Sequence, residues 1–315
     1  MSVGVATRRK RGTKQPTNFA RAAVLFALPA VLVYGMFFIL PVVQSFTLAF
    51  FEWSGLGPVG DFVGAGNFAK LATDDAFLAA IAHSFIILGV LVLITNTFSL
   101  ALASLLNRPL RFRGLFRAII VLPYVLSPLV VGFIWVLILS PDIGLLNPAL
   151  EAIGLGALQH AWLADPAFAL PWIAVALAWQ WNGLATLIFL TGFQDVRQDL
   201  LEAARLDGAH EFQVFRQVIV PQLAPAFTIA NVLAAIFALR AFDLVYVIGG
   251  PLGAPAGSTT VISTIIFGTA FGRTSFSSDI NMAYAMTQGV AQFLLVGVIA
   301  VGLLLYFGRR ERNVR

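Results

Sequence analysis

The sequence predicts an all-α integral membrane protein with six transmembrane helices and both termini on the cytoplasmic side. Three observations predict it. Hydrophobic residues make up 59% of the 315-residue chain and charged residues 11%, whereas a soluble domain carries about 25% charged residues. The apolar residues fall in charge-free runs at 22–51, 76–107, 118–141, 166–194, 221–239 and 280–308, each at or near the roughly 20 residues that cross a hydrocarbon core as a helix. With six spans, 17 of the 20 Lys and Arg lie on one side, which the positive-inside rule makes the cytoplasmic one.

The elements follow in order. A basic tail, 1–21, holds RRKRGTK and Arg21 and opens into a first span at 22–51. That apolar run is about twice as long as a signal-peptide core and has no small-residue cleavage site, so it reads as an uncleaved helix. An extracytoplasmic loop at 52–75 precedes a core at 76–308. In the core, spans at 76–107, 118–141 and 166–194 are followed by a polar segment at 199–220, then by spans at 222–247 and 280–308. A basic tail, RRERNVR, occupies 309–315. The stretch Leu244–Gly272 is also uncharged, but its IGGPLGAPAGST would leave backbone groups unpaired in lipid. It reads as a loop packed partly on the protein, which keeps the span count even.

Several function classes drop out. The net charge of +5 comes from basic residues flanking spans, where anionic headgroups hold them, so it does not point to nucleic acid. No phosphate-binding G-x-x-x-x-G-K-[ST] loop occurs, and none of the three lysines follows a glycine. With no Cys, thiolate metal sites are excluded, and His83, His160 and His210 are scattered along the chain. Nothing here builds an enzyme site, a metal centre or a nucleotide site. An ion-coupled carrier would bury ionisable groups at mid-membrane; only Arg240 and Asp243, near the outer end of the fifth span, come close. Their i,i+3 spacing lets them pair on a helix or serve directly, so a secondary carrier remains the alternative.

The polar segment contains EAARLDGAHEFQVFRQVIVP, 202–221. Asp199 and Glu202 have the spacing of an N-cap and its N3 partner, which predicts a short helix over Leu200–Leu206. Gly208 readily takes the left-handed turn that stops it. A second helix, from about Ala209 to Val220, should end before Pro221, with Phe212, Phe215, Val218 and Ile219 on one face. Two short amphipathic helices on the cytoplasmic side are expected. By charge alone they could be a connector resting on the inner leaflet or a dock for a soluble partner.

The spacing favours the dock. Glu202-Ala203-Ala204, three residues, Gly208, nine residues and Val218-Ile219-Val220-Pro221 resemble the EAA motif of ABC importer permeases, with Val for Ile at 218 and Val for Leu at 220. FVGAGNFAKL (62–71), FRGLFRAIIVLPYVLSPLVVGFIW (112–135), FDLVYVIGGP (242–251) and TTVISTIIFGTAF (259–271) are similar to the carbohydrate-uptake branch, the maltose and glycerol-phosphate type. FDLVYVIGGP lacks one Thr of that branch's pattern, and Asn281 stands where many relatives have Gly.

The resemblance implies a type I ABC importer permease fold in a bacterial cytoplasmic membrane. The implied partners are a sister permease, two ATP-binding subunits that use ATP and Mg, an extracytoplasmic sugar-binding protein and membrane lipid. It implies no cofactor on this chain. Glu202, Ala203, Ala204, Asp207, Gly208, Phe212, Phe215 and Pro221 are the implied docking residues. Sugars are held by aromatic stacking and hydroxyl hydrogen bonds, which makes Trp179, Trp181, Asn182, Thr186, Asn231, Phe237, Arg240 and Asp243 the candidates for the substrate path. Phe237 and Arg240 lead them, because the fifth span lines the pore in this family.

Overall fold

The computed structural model describes residues 17–272 and 280–312, so the basic N-terminal cluster, Arg273, Asp279 and the last three residues lie outside the described residues. The chain divides into two units, Met1–Thr47 and Leu48–Arg315. In the first, helix α1 (Thr17–Tyr34) runs through a π turn at Gly35–Ile39 into α2 (Leu40–Leu48). Pro41 explains the π turn. A proline lacks the N–H for an i−4 bond and its ring crowds the i−4 carbonyl, and a wider turn relieves both.

In the second unit, a short α3 (Gly66–Ala72) precedes α4 (Asp75–Ile94), whose N-cap Asp74 accepts from the N–H groups of Ala76 and Phe77. Helix α4 continues through a π turn at Thr95–Ser99 into α5 (Leu100–Leu106). No proline causes this π turn. Instead, Asn96 Nδ2 donates to the Val92 carbonyl and Thr97 Oγ1 to the Leu93 carbonyl, so side chains cover carbonyls that the ladder leaves free.

The third apolar run does not form the single span expected at 118–141. It forms α6 (Arg113–Val125) and α7 (Pro128–Leu139), bent by 98°. Ser127 precedes a proline and is therefore pushed out of the α region; Leu126 and Ser127 are both extended, with ψ of 145° and 136°. After α8 (Leu146–Ala152), helix α9 covers Pro166–Gln194, the bounds expected for the fourth span. Asp165 caps it, accepting from Ala167 N–H at 2.8 Å.

The polar segment forms α10 (Gln198–Leu206), α11 (Glu211–Gln213), a π turn at Val214–Ile219 and α12 (Val220–Gln222). Helix α13 (Ala224–Leu239) stops well short of the expected 247. Arg240 and Phe242 leave the helical region, and α14 (Asp243–Gly249) begins as a separate helix. The expected loop at 244–272 is therefore largely helical, with α15 (Ile262–Phe271) at its far end. Only the glycine-rich link between α14 and α15 is irregular. The last helix, α16 (Met282–Arg312), follows Asn281, whose Oδ1 accepts from Tyr284 N–H. Asn at this point makes a strong N-cap. Among the described residues, four helices are long and apolar enough to span a membrane, and six spans result when each of two bent helix pairs counts as one.

Helix α9 is the hub. It packs on α4, α5, α6 and α13, while α13 also packs on α16 and α4. A helix apolar all round belongs in a core, and α9 buries Ile173, Leu177, Trp181 and Phe189. Two glycines set its closest approaches. A Cβ on Gly183 would lie 2.8 Å from the Ile120 carbonyl oxygen of α6, and one on Gly192 would lie 2.8 Å from Ala226 Cβ of α13. Gly183→Ala is therefore expected to cost about 1–3 kcal/mol through overpacking against backbone. Gly89 is also helical, but a Cβ there meets nothing within 4 Å, so Gly89→Ala should leave stability equal or slightly higher. Thermal unfolding of both variants in detergent checks the contrast.

Candidate functional site

The segment from Arg197 to Gln222 begins differently from expectation. Asp199 does not cap α10. It pairs with the Arg197 guanidinium, which holds its carboxyl below the usual carboxylate range. The helix starts at Gln198, so Glu202 lies mid-helix and not at N3 of a capping box. Its side chain is exposed and free of ion pairs among the described residues.

The turn follows the expected chemistry. Ala209 N–H reaches the Ala204 carbonyl at 3.0 Å and Gly208 N–H the Arg205 carbonyl at 3.1 Å, the two bonds of a Schellman motif. Gly208 supplies the left-handed residue that motif needs, with φ +82°. Across the turn, Arg205 and Glu211 pair at 3.2 Å. His210 then opens the second helix with a reciprocal cap: Gln213 N–H donates to His210 Nδ1 and His210 N–H to Gln213 Oε1.

This second helix does not end before Pro221. It runs on to Gln222, because the π turn at Val214–Ile219 makes room for the proline, with Val220 N–H bonded to the Phe215 carbonyl. The bend comes at Leu223, where α13 departs at 66°. Gln222 ties the two halves together, since its Oε1 accepts from Arg197 N–H at 3.0 Å.

The element has two faces. Leu201, Val214 and Leu223 are buried with Leu106, Phe189, Phe193 and Val196, and Ala204, Phe215, Val218 and Ile219 pack against that cluster. Of the residues predicted to dock, Ala204, Phe215 and Pro221 are thus at least partly turned inward. Glu202, Ala203, Asp207, Gly208 and Phe212 are exposed. Leu206 was missed by the sequence reasoning; it is 88% exposed, and Phe212 is 66% exposed. Helical periodicity contains the signal, for Leu206 lies five residues, or about 140° at 3.6 residues per turn, from the inward Leu201.

The second candidate region is a cavity of about 400 Å³ where α13 ends. Trp181, Phe237, Arg240 and Asp243 line it, joined by Tyr124 of α6, which sequence reasoning did not find. The bend between α6 and α7 that brings Tyr124 here has no signature in hydropathy. Trp181 stacks on Phe237 with centroids 5.1 Å apart, and the Tyr124 ring meets Trp181 edge-on at 6.4 Å. Trp181 Nε1 donates to Thr95 Oγ1 at 3.0 Å, which fixes the indole. Arg240 and Asp243 do not form the i,i+3 pair, because the helix breaks between them. Arg240 instead sits at the C-terminal end of α13, where the helix dipole favours a cation.

The other path candidates lie elsewhere. Asn231, 3% exposed, clasps Asn96 with two amide hydrogen bonds of 2.9 and 2.6 Å and donates to the Phe227 carbonyl. Asn182 accepts from Ser99 Oγ at 2.6 Å. Thr186 is fully buried, and Trp179 packs on Trp135 outside the cavity. Asn231 and Asn182 join helices, the Thr186 hydroxyl is buried without a hydrogen-bond partner among the described residues, and none of the four residues lines the cavity.

Comparison with known proteins places this geometry. Residues 96–313 match the family described as binding-protein-dependent transport system inner membrane component, and the chain belongs to that family. It is similar to the lactose transport system permease LacF of Rhizobium radiobacter, 33% identical over 92% of this chain and 94% of the relative. It is also similar to the trehalose/maltose transport system permease MalF of Thermococcus litoralis, 33% identical over 79% of this chain and 83% of the relative. In fold it resembles a chain of a bacterial ABC transporter involved in import of the acidic polysaccharide alginate, with TM-score 0.75 at 21% identity, covering 93% of this chain and 97% of that one. The chain is thus an inner-membrane component of a transport system, with several helices apolar enough to span.

Thr95→Val leaves a buried indole N–H without its acceptor, which is expected to cost about 1–3 kcal/mol. Thr95→Ser keeps the oxygen and should recover most of the loss. Thermal unfolding of the two variants side by side tests whether the hydrogen bond, and not the methyl packing, holds Trp181.

Proposed function

We propose that this chain is the permease subunit of an ATP-driven, binding-protein-dependent sugar importer of the bacterial cytoplasmic membrane, with both termini cytoplasmic. The two-helix element at 198–222 carries the reading. It presents Glu202, Leu206, Asp207, Gly208 and Phe212 outward while Leu201 and Val214 anchor it to the ends of α5 and α9. A connector resting on a leaflet would turn its apolar face to lipid, whereas here that face packs on the protein. The named relatives, for lactose and for trehalose and maltose, support sugar as the cargo.

In this reading the exposed face seats in a cleft of an ATP-binding subunit. Two such subunits use ATP and Mg, and a sister permease completes the pore. An extracytoplasmic sugar-binding protein delivers the substrate, and this chain holds no nucleotide itself. Closure of the ATPase pair pushes the element as one body, because Gln222 and Arg197 tie its two helices together. The push enters α13 at the Leu223 bend and α9 at its C-terminal end, and the spans exchange outward- and inward-open states. The cavity beside Trp181, Phe237, Arg240 and Asp243 is this chain's share of the sugar path.

The alternative, an ion-coupled carrier, draws on Arg240 and Asp243 alone. Energetics separate the two. Uptake into vesicles with ATP inside is expected to survive collapse of proton and sodium gradients and to stop when ATP is withdrawn. Loss of uptake on gradient collapse alone would sink the importer reading.

The docking face has its own test. Gly208→Val puts a β-branched residue at positive φ, a strain of about 1–2 kcal/mol, and opens the Schellman turn. It is expected to abolish transport and strip ATPase subunits from the purified complex while membrane levels of the chain hold. Glu202→Ala removes no contact within the chain, so folding should be unchanged and assembly weakened by about 1.5–3 kcal/mol, the loss of one charged hydrogen bond. Co-purification with both subunits intact in both variants would return the element to a leaflet connector.

A further inference from the structure

The cavity at the end of α13 holds two full charges of opposite sign that do not neutralise each other. Arg240 and Asp243 both line it, both are exposed, and neither forms an ion pair among the described residues. The backbone keeps them apart. Arg240 ends α13 with φ −107° and ψ 7°, and Phe242 turns the chain with φ −135° and ψ −68° before Asp243 starts α14. No helical face carries both side chains.

A guanidinium only donates hydrogen bonds and a carboxylate only accepts them. Beside them the walls are aromatic and aliphatic, chiefly Trp181, Phe237 and Leu177. A guest must therefore offer acceptors to Arg240, donors to Asp243 and an apolar face to the rings. A row of hydroxyl groups on a carbon ring meets all three demands, since each hydroxyl oxygen accepts while its hydrogen donates. A carboxylate or phosphate would pair with Arg240 but bring a like charge to the cavity that Asp243 also lines, where the two repel. An ammonium group meets the reverse conflict at Arg240.

We infer that this cavity selects by charge, with Arg240 and Asp243 together reading the hydroxyls of an uncharged sugar and rejecting uronates, sugar phosphates and amino sugars. The inference rests on the sugar-import reading above and adds which sugars pass. Arg240 and Asp243 are specificity determinants in it, and the discrimination belongs to the permease, separate from any selection by a delivering protein.

The test uses the transporter purified through this chain with the subunits it assembles with, in lipid nanodiscs, without nucleotide or binding protein. Saturation-transfer NMR compares maltose and lactose with digalacturonate and glucosamine. In the wild type the better neutral sugar is expected to bind at least about tenfold tighter than either charged probe, the scale of like-charge rejection at a recognition site. Asp243→Asn should raise digalacturonate to the neutral-sugar level, and Arg240→Gln should do the same for glucosamine. Asp243→Glu and Arg240→Lys, which keep the charges, should keep the wild-type ranking. A charged probe that binds the wild type as tightly as the neutral sugars overturns the inference, as does a ranking that no charge-removing substitution moves. In both cases the importer reading stands. Silence from all four sugars overturns the inference together with the sugar reading. The wild-type ranking decides the matter even if a variant fails to assemble.

Discussion

A backbone amide inside hydrocarbon has no water to bond to, and each unpaired group there costs several kcal/mol. Most of this chain's departures from plain helix answer that constraint. Pro41 and Pro221 each delete a donor, and each is preceded by a π turn that closes the ladder around the gap. The π turn at Thr95–Ser99 has no proline; Asn96 and Thr97 bond back to carbonyls one turn earlier. The glycine-rich link after α14 is tolerated because the protein itself supplies partners. Thr259 and Thr260 bond within it, His83 Nδ1 meets the Thr260 carbonyl, and Ile262 N–H donates to Ser84 Oγ.

The same constraint explains what the sequence disclosed and what it concealed. The fourth span was legible to the residue because the charges that bound its run, Asp165 and Asp195, are also the caps of the helix. Elsewhere, charge-free runs report how much chain can sit in lipid but not whether it bends. The breaks at Ser127-Pro128 and after Leu239 therefore passed as continuous spans. Asp199 misled for a different reason: Arg197, two residues away, takes its carboxylate and the cap is lost. At the cavity, Trp181, Phe237, Arg240 and Asp243 were found from residue type. Asn231, Asn182 and Thr186 were chosen by the same logic and lie outside it. Composition shows a polar side chain but not whether another helix already uses it, as Asn96 uses Asn231.

The two candidate regions are linked by the helices that carry both. Helix α13 leaves the two-helix element at Leu223 and reaches the cavity at Arg240; its 16 residues span about 24 Å at 1.5 Å per residue. Helix α9 carries Trp181 at mid-length and ends just before Arg197. Between them, the Asn96–Asn231 clasp and the Ser99–Asn182 bond fix α13 and α9 to the same π turn. Movement at one end of this frame is thus passed on through hydrogen bonds between helices as well as through packing. The close approaches at Gly183 and Gly192 bring α9 tight against α6 and α13.

Leu206 and Phe212 lie bare on a polar element that otherwise prefers water. They flank the Gly208 turn, one at the end of α10 and one in α11, and large apolar side chains left bare favour association. On the docking reading proposed above, a copy made in excess of the ATP-binding subunits would carry this surface unprotected, open to self-association and to proteases that grip exposed apolar loops. On that reading the cell has a physical reason to make those subunits in step with this chain, and a means of recognising the copies left over.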